Sequence, residues 1–207
     1  MRVLVLGATG GTGRAIVEGC LAAGHDVRAL VRRPEALEIT NDKLDVVRGD
    51  ALDTIAVSEV VRAMDVVISS LGSRPWRSDD VCSKGTAVLL GAMRTQHVSR
   101  LIAISSFGVT ATLPYADFMT RMARSTVLSR VLSDKDRMEA LILGSTIEHV
   151  IVRPVGLTNG PATGNARVAD DGSIHGGFVS RADVAAFCVE EITKREWTNK
   201  TPSITGP

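Results

Sequence analysis

Residues 3–13 read Val-Leu-Val-Leu-Gly-Ala-Thr-Gly-Gly-Thr-Gly, an apolar run that leads directly into a glycine-rich loop. A continuous apolar run of this length is typical of a parallel strand that is buried on both faces. A helical pattern follows over residues 15–23, and Gly24 can end it because glycine readily adopts the left-handed conformation found at helix ends. Residues 26–31 predict a second strand. The N-terminal residues therefore predict one complete βαβ unit.

Three glycines of the loop, Gly7, Gly10 and Gly13, are spaced at every third residue between the strand and the helix. Gly7 permits a sharp turn, Gly10 lets a ligand approach the backbone, and Gly13 lets the helix pack on the strand. Exposed amides and the helix dipole would then face an anion. A turn that is glycine-rich only for packing is the alternative, but the flanking strand and helix favour a dinucleotide diphosphate site. The residues that we expect at this site are Gly7, Thr9, Gly10, Gly11, Thr12 and Gly13.

Strand and helix patterns alternate through the next seventy residues. The predicted strands are 44–47, 65–69 and 101–105, and the predicted helices are about 55–63 and 81–97. Parallel strands joined by helices require right-handed crossovers, which place helices on both faces of one sheet. We therefore expect a single α/β domain over residues 1–207, a Rossmann-type doubly wound parallel sheet with strand order 3-2-1-4-5-6 and possibly a seventh strand.

The pattern loosens after residue 105. The predicted elements are helices at 117–132 and 135–143, a strand at 148–152, an irregular loop with at most a short hairpin at 159–177, and a helix at 184–193. Ser133 or Asp134 is expected to cap the second of these helices, and Ser180 with Asp183 has capping-box-like spacing before the last. Segments of about 107–120 and 155–178 are expected to form the substrate-side loops.

Composition excludes several partner classes. The 207 residues are 44% hydrophobic and 23% charged, with a formal net charge of +1. Scattered lysines and arginines form no basic face for nucleic acid, and no run is long enough to span a membrane, so neither partner is expected. Cys20, Cys82 and Cys188 lie far apart, which favours free thiols in a reducing cytoplasm and, with four scattered histidines, no metal site. The sequence leaves a monomer and a homodimer both open.

Arg32 and Arg33 follow the second predicted strand, and the first acidic residue after it is Glu35. A carboxylate at this position would bind the ribose 2′-hydroxyl of NAD, whereas arginine accommodates the 2′-phosphate of NADP. The two arginines therefore predict NADP, with NAD less favoured. The alternative is that both are solvated surface charges.

Several motifs resemble one family. They are Gly-Ala-Thr-Gly-Gly-Thr-Gly-Arg at 7–14, Val-Arg-Arg-Pro at 31–34, Gly-Asp at 49–50, Leu-Gly-Ser-Arg at 71–74 and Ala-Thr-Gly at 162–164. These motifs are similar to those of the atypical, NmrA-like branch of the short-chain dehydrogenase/reductases. Within that branch they most resemble the biliverdin-IXβ reductase/flavin reductase family. The resemblance covers essentially the whole chain.

The resemblance implies further cofactor contacts. Asp50 matches an adenine-contacting acid, Ser106 a serine beside the nicotinamide, and Lys135 a polar residue facing the site. The full set of further expected cofactor-binding residues is Arg32, Arg33, Asp50, Ala51, Leu71, Gly72, Arg74, Ser105, Ser106, Lys135, Pro154, Val155 and Gly156. Each has a plainer alternative. Asp50 could be a turn residue, and Leu71 and Gly72 could belong to an ordinary loop after a strand. Ser106 could bond neighbouring backbone at a strand end, and Pro154 could simply terminate its strand. Lys135 could form an exposed helical pair with Glu139.

The Tyr-x-x-x-Lys pair that most of this superfamily uses is impossible here. The single tyrosine is Tyr115, and position 119 is methionine. Hydride transfer then suits acceptors whose proton comes from solvent. We expect an NADPH-dependent reductase of a flavin, quinone or tetrapyrrole-like acceptor, with Ser106 in a supporting role and Lys135 as a further candidate.

Two other functions are considered. One is a non-catalytic, NmrA-like NADP(H) sensor. The other, a sugar-nucleotide epimerase or dehydratase, is disfavoured because about fifty residues after Arg153 leave little room for a second domain. The residues that would line an apolar acceptor pocket, if they are not plain core, are Phe107, Leu113, Tyr115, Phe118 and Phe178.

Overall fold

The computed structural model describes residues 1–72, 80–126 and 128–207. The strands are β1 Arg2–Leu6, β2 Asp26–Val31, β3 Leu44–Arg48, β4 Val66–Ser69, β5 Arg100–Ile104, β6 Glu148–Pro154, β7 Gly156–Thr158, β8 Arg167–Ala169, β9 Phe178–Ser180 and β10 Ser203–Thr205. The α-helices are α1 Gly11–Ala22, α2 Thr54–Val61, α3 Val81–Thr95, α4 Phe118–Ser125, α5 Ser129–Leu143 and α6 Arg181–Lys194. Short 3-10 helices span Pro34–Ala36 and Thr110–Tyr115.

One eight-stranded sheet organises the domain, in the order β3-β2-β1-β4-β5-β6-β10-β8. The order 3-2-1-4-5-6 is thus confirmed, and β10 is the seventh strand, parallel to β6. All strands from β1 to β6 are mutually parallel. Their carboxyl ends therefore meet at one edge, where open α/β sheets bind ligands.

The central strand β1 divides the core into two layers. Val3 and Val5 face the layer that contains α1 and α6, whereas Leu4 and Leu6 face the layer of α2, α3 and α5. All four side chains are fully buried. Each contributes about 1.5–3 kcal/mol from burial. An apolar run without alternation was the correct signal for a strand covered on both faces.

Helices α1 and α6 pack side by side and run in the same direction. A Cβ placed on Gly11 would lie 2.8 Å from the Arg181 side chain, and one on Gly19 would lie 3.1 Å from the Val189 side chain. The first residue of α1 is therefore level with the first residue of α6. Both helices begin at the ligand-binding edge of the sheet.

The predicted helices at 117–132 and 135–143 were wrong in their boundaries. Helix α4 ends at Ser125, and α5 runs without a break from Ser129. The hydroxyls of Ser125 and Thr126 both donate to the Met122 carbonyl, which a longer α4 would need for its backbone bond. Local side-chain bonding therefore stops α4 before the predicted end.

Asp134 does not cap its own helix. Its carboxylate accepts the amides of Cys82 and Ser83 at 2.9 and 3.0 Å, so it bonds the first turn of α3 from across the layer. Burial raises the pKa of Asp134, but the hydrogen bonds from Ser83 and Cys82 outweigh burial and lower it. The local capping pattern identified a correct capping residue for the wrong helix.

The segment 159–177 contains β8, which pairs antiparallel with β10 near the end of the chain. The prediction of an irregular loop with at most a short hairpin was therefore wrong for Arg167–Ala169, which form a strand whose partner lies more than thirty residues away. The flanking strands β7 and β9 form a separate parallel pair. Across the described ranges, no helix combines the length and apolarity needed to cross a bilayer.

Candidate cofactor site

A cleft of about 750 Å³ opens at the carboxyl ends of β1, β2 and β4. The predicted residues that line it are Gly7, Thr9, Gly10, Arg32, Arg33, Asp50, Ala51, Leu71 and Gly72. The lining residues that the sequence analysis missed are Leu30, Val31, Gly49, Ser70 and Val81. Arg74 lies outside the described residues. The position of this cleft, at the carboxyl ends of parallel strands, suits the adenosine half and the diphosphate of a dinucleotide.

The glycine loop forms the floor of this cleft. Gly7 has φ +78°, and a Cβ there would lie 2.4 Å from the Ser70 carbonyl oxygen. A Cβ on Gly13 would lie 2.2 Å from the Gly7 carbonyl oxygen. The turn is closed by a 3.0 Å bond from the Gly10 amide to that same carbonyl. A side chain on Gly7 would therefore push against the backbone that follows β4, and a side chain on Gly13 would separate α1 from the end of β1.

The start of α1 suits an anion. Gly10 is the N-cap and has no side chain that bonds the first amides, and the first turn contains no acidic residue. The amides of Gly11, Thr12 and Gly13 belong to this first turn, where backbone N–H groups have no partner within the helix. A diphosphate placed here would meet backbone donors and the positive end of the helix dipole.

Arg32 and Arg33 are exposed where β2 ends, on the wall of the cleft. Asp50 also lines the cleft, and its carboxylate accepts the Leu52 amide at 3.0 Å. Asp50 is therefore a turn residue as well as a lining residue. Because Gly49 has no side chain, the backbone after β3 can lie against Leu30. A Cβ at Gly49 would lie 2.7 Å from the Leu30 side chain.

Lys135 is buried, with 5% of its surface exposed. Its ammonium group donates to the Leu71 carbonyl at 2.8 Å and to the Ile104 carbonyl at 2.6 Å. The side chain therefore joins the wall of the cleft to the end of β5. An exposed pair with Glu139 is excluded, since Glu139 is equally buried and bonds other partners.

Those partners form a buried network that sequence reasoning missed. Arg153 donates to both carboxylate oxygens of Glu139, at 3.1 and 2.7 Å, and the Ser105 hydroxyl donates to the same carboxylate. The network links the ends of β5 and β6 to α5, one turn beyond Lys135. Ser105, Glu139 and Arg153 are separated in the sequence, so no local pattern predicts that they bond one another. The sheet brings them together.

The remaining predicted residues lie at the ends of β5 and β6. The Ser106 hydroxyl donates to the Phe107 carbonyl at 3.0 Å. Pro154 accepts the Phe107 amide at 2.8 Å, and Val155 donates to the Ile204 carbonyl at 3.1 Å. Gly156 lies under the ring of Phe178, which is 2.7 Å from its Cβ position. The ends of β5 and β6 are thus neighbours at one sheet edge, and they carry Ser105, Ser106 and the segment 154–156. These residues lie beside the cleft and do not line it.

The five candidate pocket residues separate into two groups. Phe107 is buried core, and Leu113 is half-buried. Tyr115, Phe118 and Phe178 are exposed, the last two with 76% and 72% of their surface free. These three lie on the two segments that were expected to form the substrate side.

The comparisons with known proteins agree with this geometry. A family model described as NAD(P)H-binding matches residues 7–195. An uncharacterized chloroplastic protein of Arabidopsis thaliana is 32% identical over 98% of this chain and 76% of its own length. A (4-alkanoyl-5-oxo-2,5-dihydrofuran-3-yl)methyl phosphate reductase of Streptomyces griseus is 27% identical over 99% of this chain and 68% of its own length.

Among solved structures, the anaerobilin reductase ChuY of Escherichia coli O157:H7 superposes with a TM-score of 0.86. It is 27% identical, and the match covers 100% of this chain and 98% of that one. The family model spans the glycine loop, the cleft and α6 alike. The chain therefore belongs to the NAD(P)H-binding family, as an atypical short-chain dehydrogenase/reductase with a biliverdin-reductase-like resemblance, and it is an oxidoreductase that uses a nicotinamide cofactor.

Proposed function

We propose that the protein is an NADPH-dependent reductase of a planar conjugated acceptor, such as a flavin, a quinone or a linear tetrapyrrole. The observation that carries the proposal is a cleft that suits the adenosine half and the diphosphate of a dinucleotide, in a chain with no Tyr-x-x-x-Lys pair. When bound, the reduced nicotinamide supplies a hydride, and the proton that completes the reduction comes from solvent. Acceptors that delocalise the added electrons need no positioned tyrosine acid.

The preference for NADPH is inferred from Arg32 and Arg33. Both arginines line the end of the cleft where the adenosine ribose would lie, and a guanidinium bonds phosphate bidentately. Among the ion pairs of the described residues, neither arginine has a carboxylate partner. The pair is therefore available to a 2′-phosphate.

The acceptor class is inferred from α4, which directs its arginines towards the protein and its apolar side chains outward. Arg121 donates to the Ala116 carbonyl, and Arg124 donates to the Gly108 carbonyl and pairs with Asp136. Phe118 and Met122 are exposed as a consequence. An exposed apolar surface beside a ligand-binding edge favours a large flat ligand.

This surface continues onto the second loop. The Asp117 amide donates to the His175 carbonyl at 2.9 Å, which holds α4 beside the segment that leads to Phe178. Phe178 in turn covers Gly156 at the end of β6. Aromatic and methionine side chains of this kind bind conjugated rings by stacking and sulfur–aromatic contacts.

The test is anaerobic oxidation of NADPH, followed at 340 nm, with FMN, menadione and biliverdin supplied separately. Turnover is expected with at least one acceptor. The Phe178→Ala variant should have a higher KM for that acceptor and an unchanged Kd for NADPH. Leu143→Ala, a change at an exposed apolar residue at the C-terminal end of α5 and away from this edge, serves as the control. Tight NADPH binding without turnover of any acceptor would instead favour the non-catalytic sensor.

Cofactor selectivity needs its own measurement. The double variant Arg32→Ala/Arg33→Ala should weaken NADPH by about 10- to 100-fold, the equivalent of one or two charge-assisted hydrogen bonds. Its Kd for NADH should change by less than about threefold. Equal losses for NADPH and NADH would contradict the assignment of the arginines to a 2′-phosphate.

A further inference from the structure

Arg181 lies against the first residue of α1, although the glycine motif does not include it. A Cβ on Gly11 would lie 2.8 Å from Cδ and 3.0 Å from Nε of Arg181. Gly11 provides one of the amides at the start of the helix that faces the diphosphate in the proposed function. The arginine stem therefore crosses the rim of the glycine loop.

The backbone of Arg181 is held firmly in this place. Arg181 is the first residue of α6, and the Ser180 hydroxyl caps that helix by accepting the Asp183 amide at 2.9 Å. The parallel packing of α1 and α6 keeps the two helix starts level, as the contact of Gly19 with Val189 shows. The backbone that carries the Arg181 side chain is therefore positioned by the packing of two helices.

The guanidinium of Arg181 has a neutral hydrogen-bond partner. Its Nη1 donates to the side-chain oxygen of Asn159 at 2.6 Å, which is a neutral acceptor. Within the part of the chain that the structure describes, no ion pair includes Arg181. The nearby Asp183 carboxylate is occupied by Ser180 and by the amides of Thr163 and Gly164.

We propose that Arg181 binds the diphosphate of the cofactor from beside the first turn of α1. The proposal rests on the proposed function, because it requires a dinucleotide in the glycine loop. Among the hydrogen bonds of the described residues, the Arg181 guanidinium has one neutral acceptor, so a phosphate would gain charge-assisted bonds from its other N–H groups. The arrangement also explains why Gly11 follows Gly10, since any side chain at position 11 would displace the arginine.

The experiment measures the Kd of NADP⁺ by calorimetry for the wild type, Arg181→Met, Arg181→Lys and the control Arg94→Met. Arg94 is exposed on α3, so its variant removes the same charge away from the cleft. Arg181→Met should weaken NADP⁺ by about 10- to 100-fold and Arg181→Lys by less, with no change for Arg94→Met. Adenosine 2′-phosphate, which lacks the diphosphate, should bind the wild type and Arg181→Met equally and so show that the variant is folded.

Asn159→Ala separates a direct contact from a structural one. If Arg181 acts only by holding residue 159, removing the asparagine should weaken NADP⁺ as much as Arg181→Met does, and that result would overturn the proposal. Undiminished NADP⁺ binding by Arg181→Met would overturn it as well, while leaving the proposed function intact. Failure of the wild type to bind NADP⁺ or NAD⁺ would instead remove the proposed function and this inference with it.

Discussion

At the scale of single residues, close approach of backbone decides what the glycine loop tolerates. Gly7 and Gly13 are required for different reasons, the first by a positive φ and the second by the 2.2 Å approach of its Cβ position to a carbonyl. Gly10 is less restricted, because its nearest neighbour would be 3.4 Å away. The spacing of the motif predicted these roles for Gly7 and Gly13. It contained nothing about Arg181, whose contact with Gly11 depends on a helix that begins 170 residues later.

Replacing Gly13 with alanine should destabilise the protein by about 1–3 kcal/mol, because the new methyl group meets backbone that cannot move away. Gly91→Ala is the matched control, since the Cβ position of Gly91 in α3 is free of neighbours within 4 Å. That change should stabilise by about 0.5–1 kcal/mol through helix propensity. Urea unfolding followed by circular dichroism measures both, and midpoint shifts of the same sign would contradict the account.

At the scale of elements, buried polar side chains join helices to loops that local patterns treat separately. Lys135 joins α5 to the ends of β4 and β5, and Glu139 joins the same helix to β6 through Arg153. Asp183 joins α6 to the loop at 163–164 while it takes part in the capping of its own helix. The spacing of Ser180 and Asp183 in the sequence predicted the capping of α6. It did not predict that the Asp183 carboxylate also accepts hydrogen bonds from Thr163 and Gly164, because these partners lie on another loop.

Asp183 should make stability depend on pH below neutrality. Burial raises the pKa of this carboxyl, but the hydrogen bonds from Ser180, Gly164 and Thr163 outweigh burial and hold it below its usual 3.8. A lowered pKa in the folded state stabilises the protein above the unfolded value, and this contribution is lost as pH falls through the folded value. Stability should therefore decline below about pH 4.

The measurement is urea unfolding of the wild type and Asp183→Asn between pH 2.5 and pH 7. The difference between the two proteins should be largest at neutral pH and should shrink in acid, because protonation removes the same charge as the substitution. Asp42→Asn, an exposed change of the same kind, is the control. A difference that grows as the pH falls would contradict the predicted sign.

At the scale of the whole molecule, the sheet separates two apolar layers, and the thiols belong to these layers. Cys20 and Cys188 face each other's helices in the α1 and α6 layer, and Cys82 lies in the other. Burial raises the pKa of Cys20 to about 12, and burial together with the neighbouring Cys20 and Glu191 raises that of Cys188 as well. A buried, protonated thiol reacts only after the structure opens.

Labelling of Cys20 and Cys188 by a disulfide reagent should therefore report global opening. The measurement uses Cys82→Ala, because Cys82 bonds the Leu71 carbonyl at the wall of the cleft, where a ligand would shield it directly. NADP⁺ at 100 times its Kd should slow labelling about 100-fold, since it binds only the folded state. Rapid labelling in native buffer, unaffected by NADP⁺, would show that α1 and α6 open locally.

The sequence by itself determined the βαβ start, the strand order through β6, the glycine turn and the arginines that follow β2. The βαβ start, the glycine turn and the arginines depend on residues that are adjacent in the chain, so periodicity, turn chemistry and spacing report them. The strand order follows from the topological rules that repeated βα units obey. Only the tertiary structure decided the pairing of β8 with β10, the capping of α3 by Asp134, the Ser105–Glu139–Arg153 network and the contact of Arg181 with Gly11. These interactions join residues about 14 to 170 positions apart, and their formation depends on which faces of the sheet and helices are brought together by burial of the core.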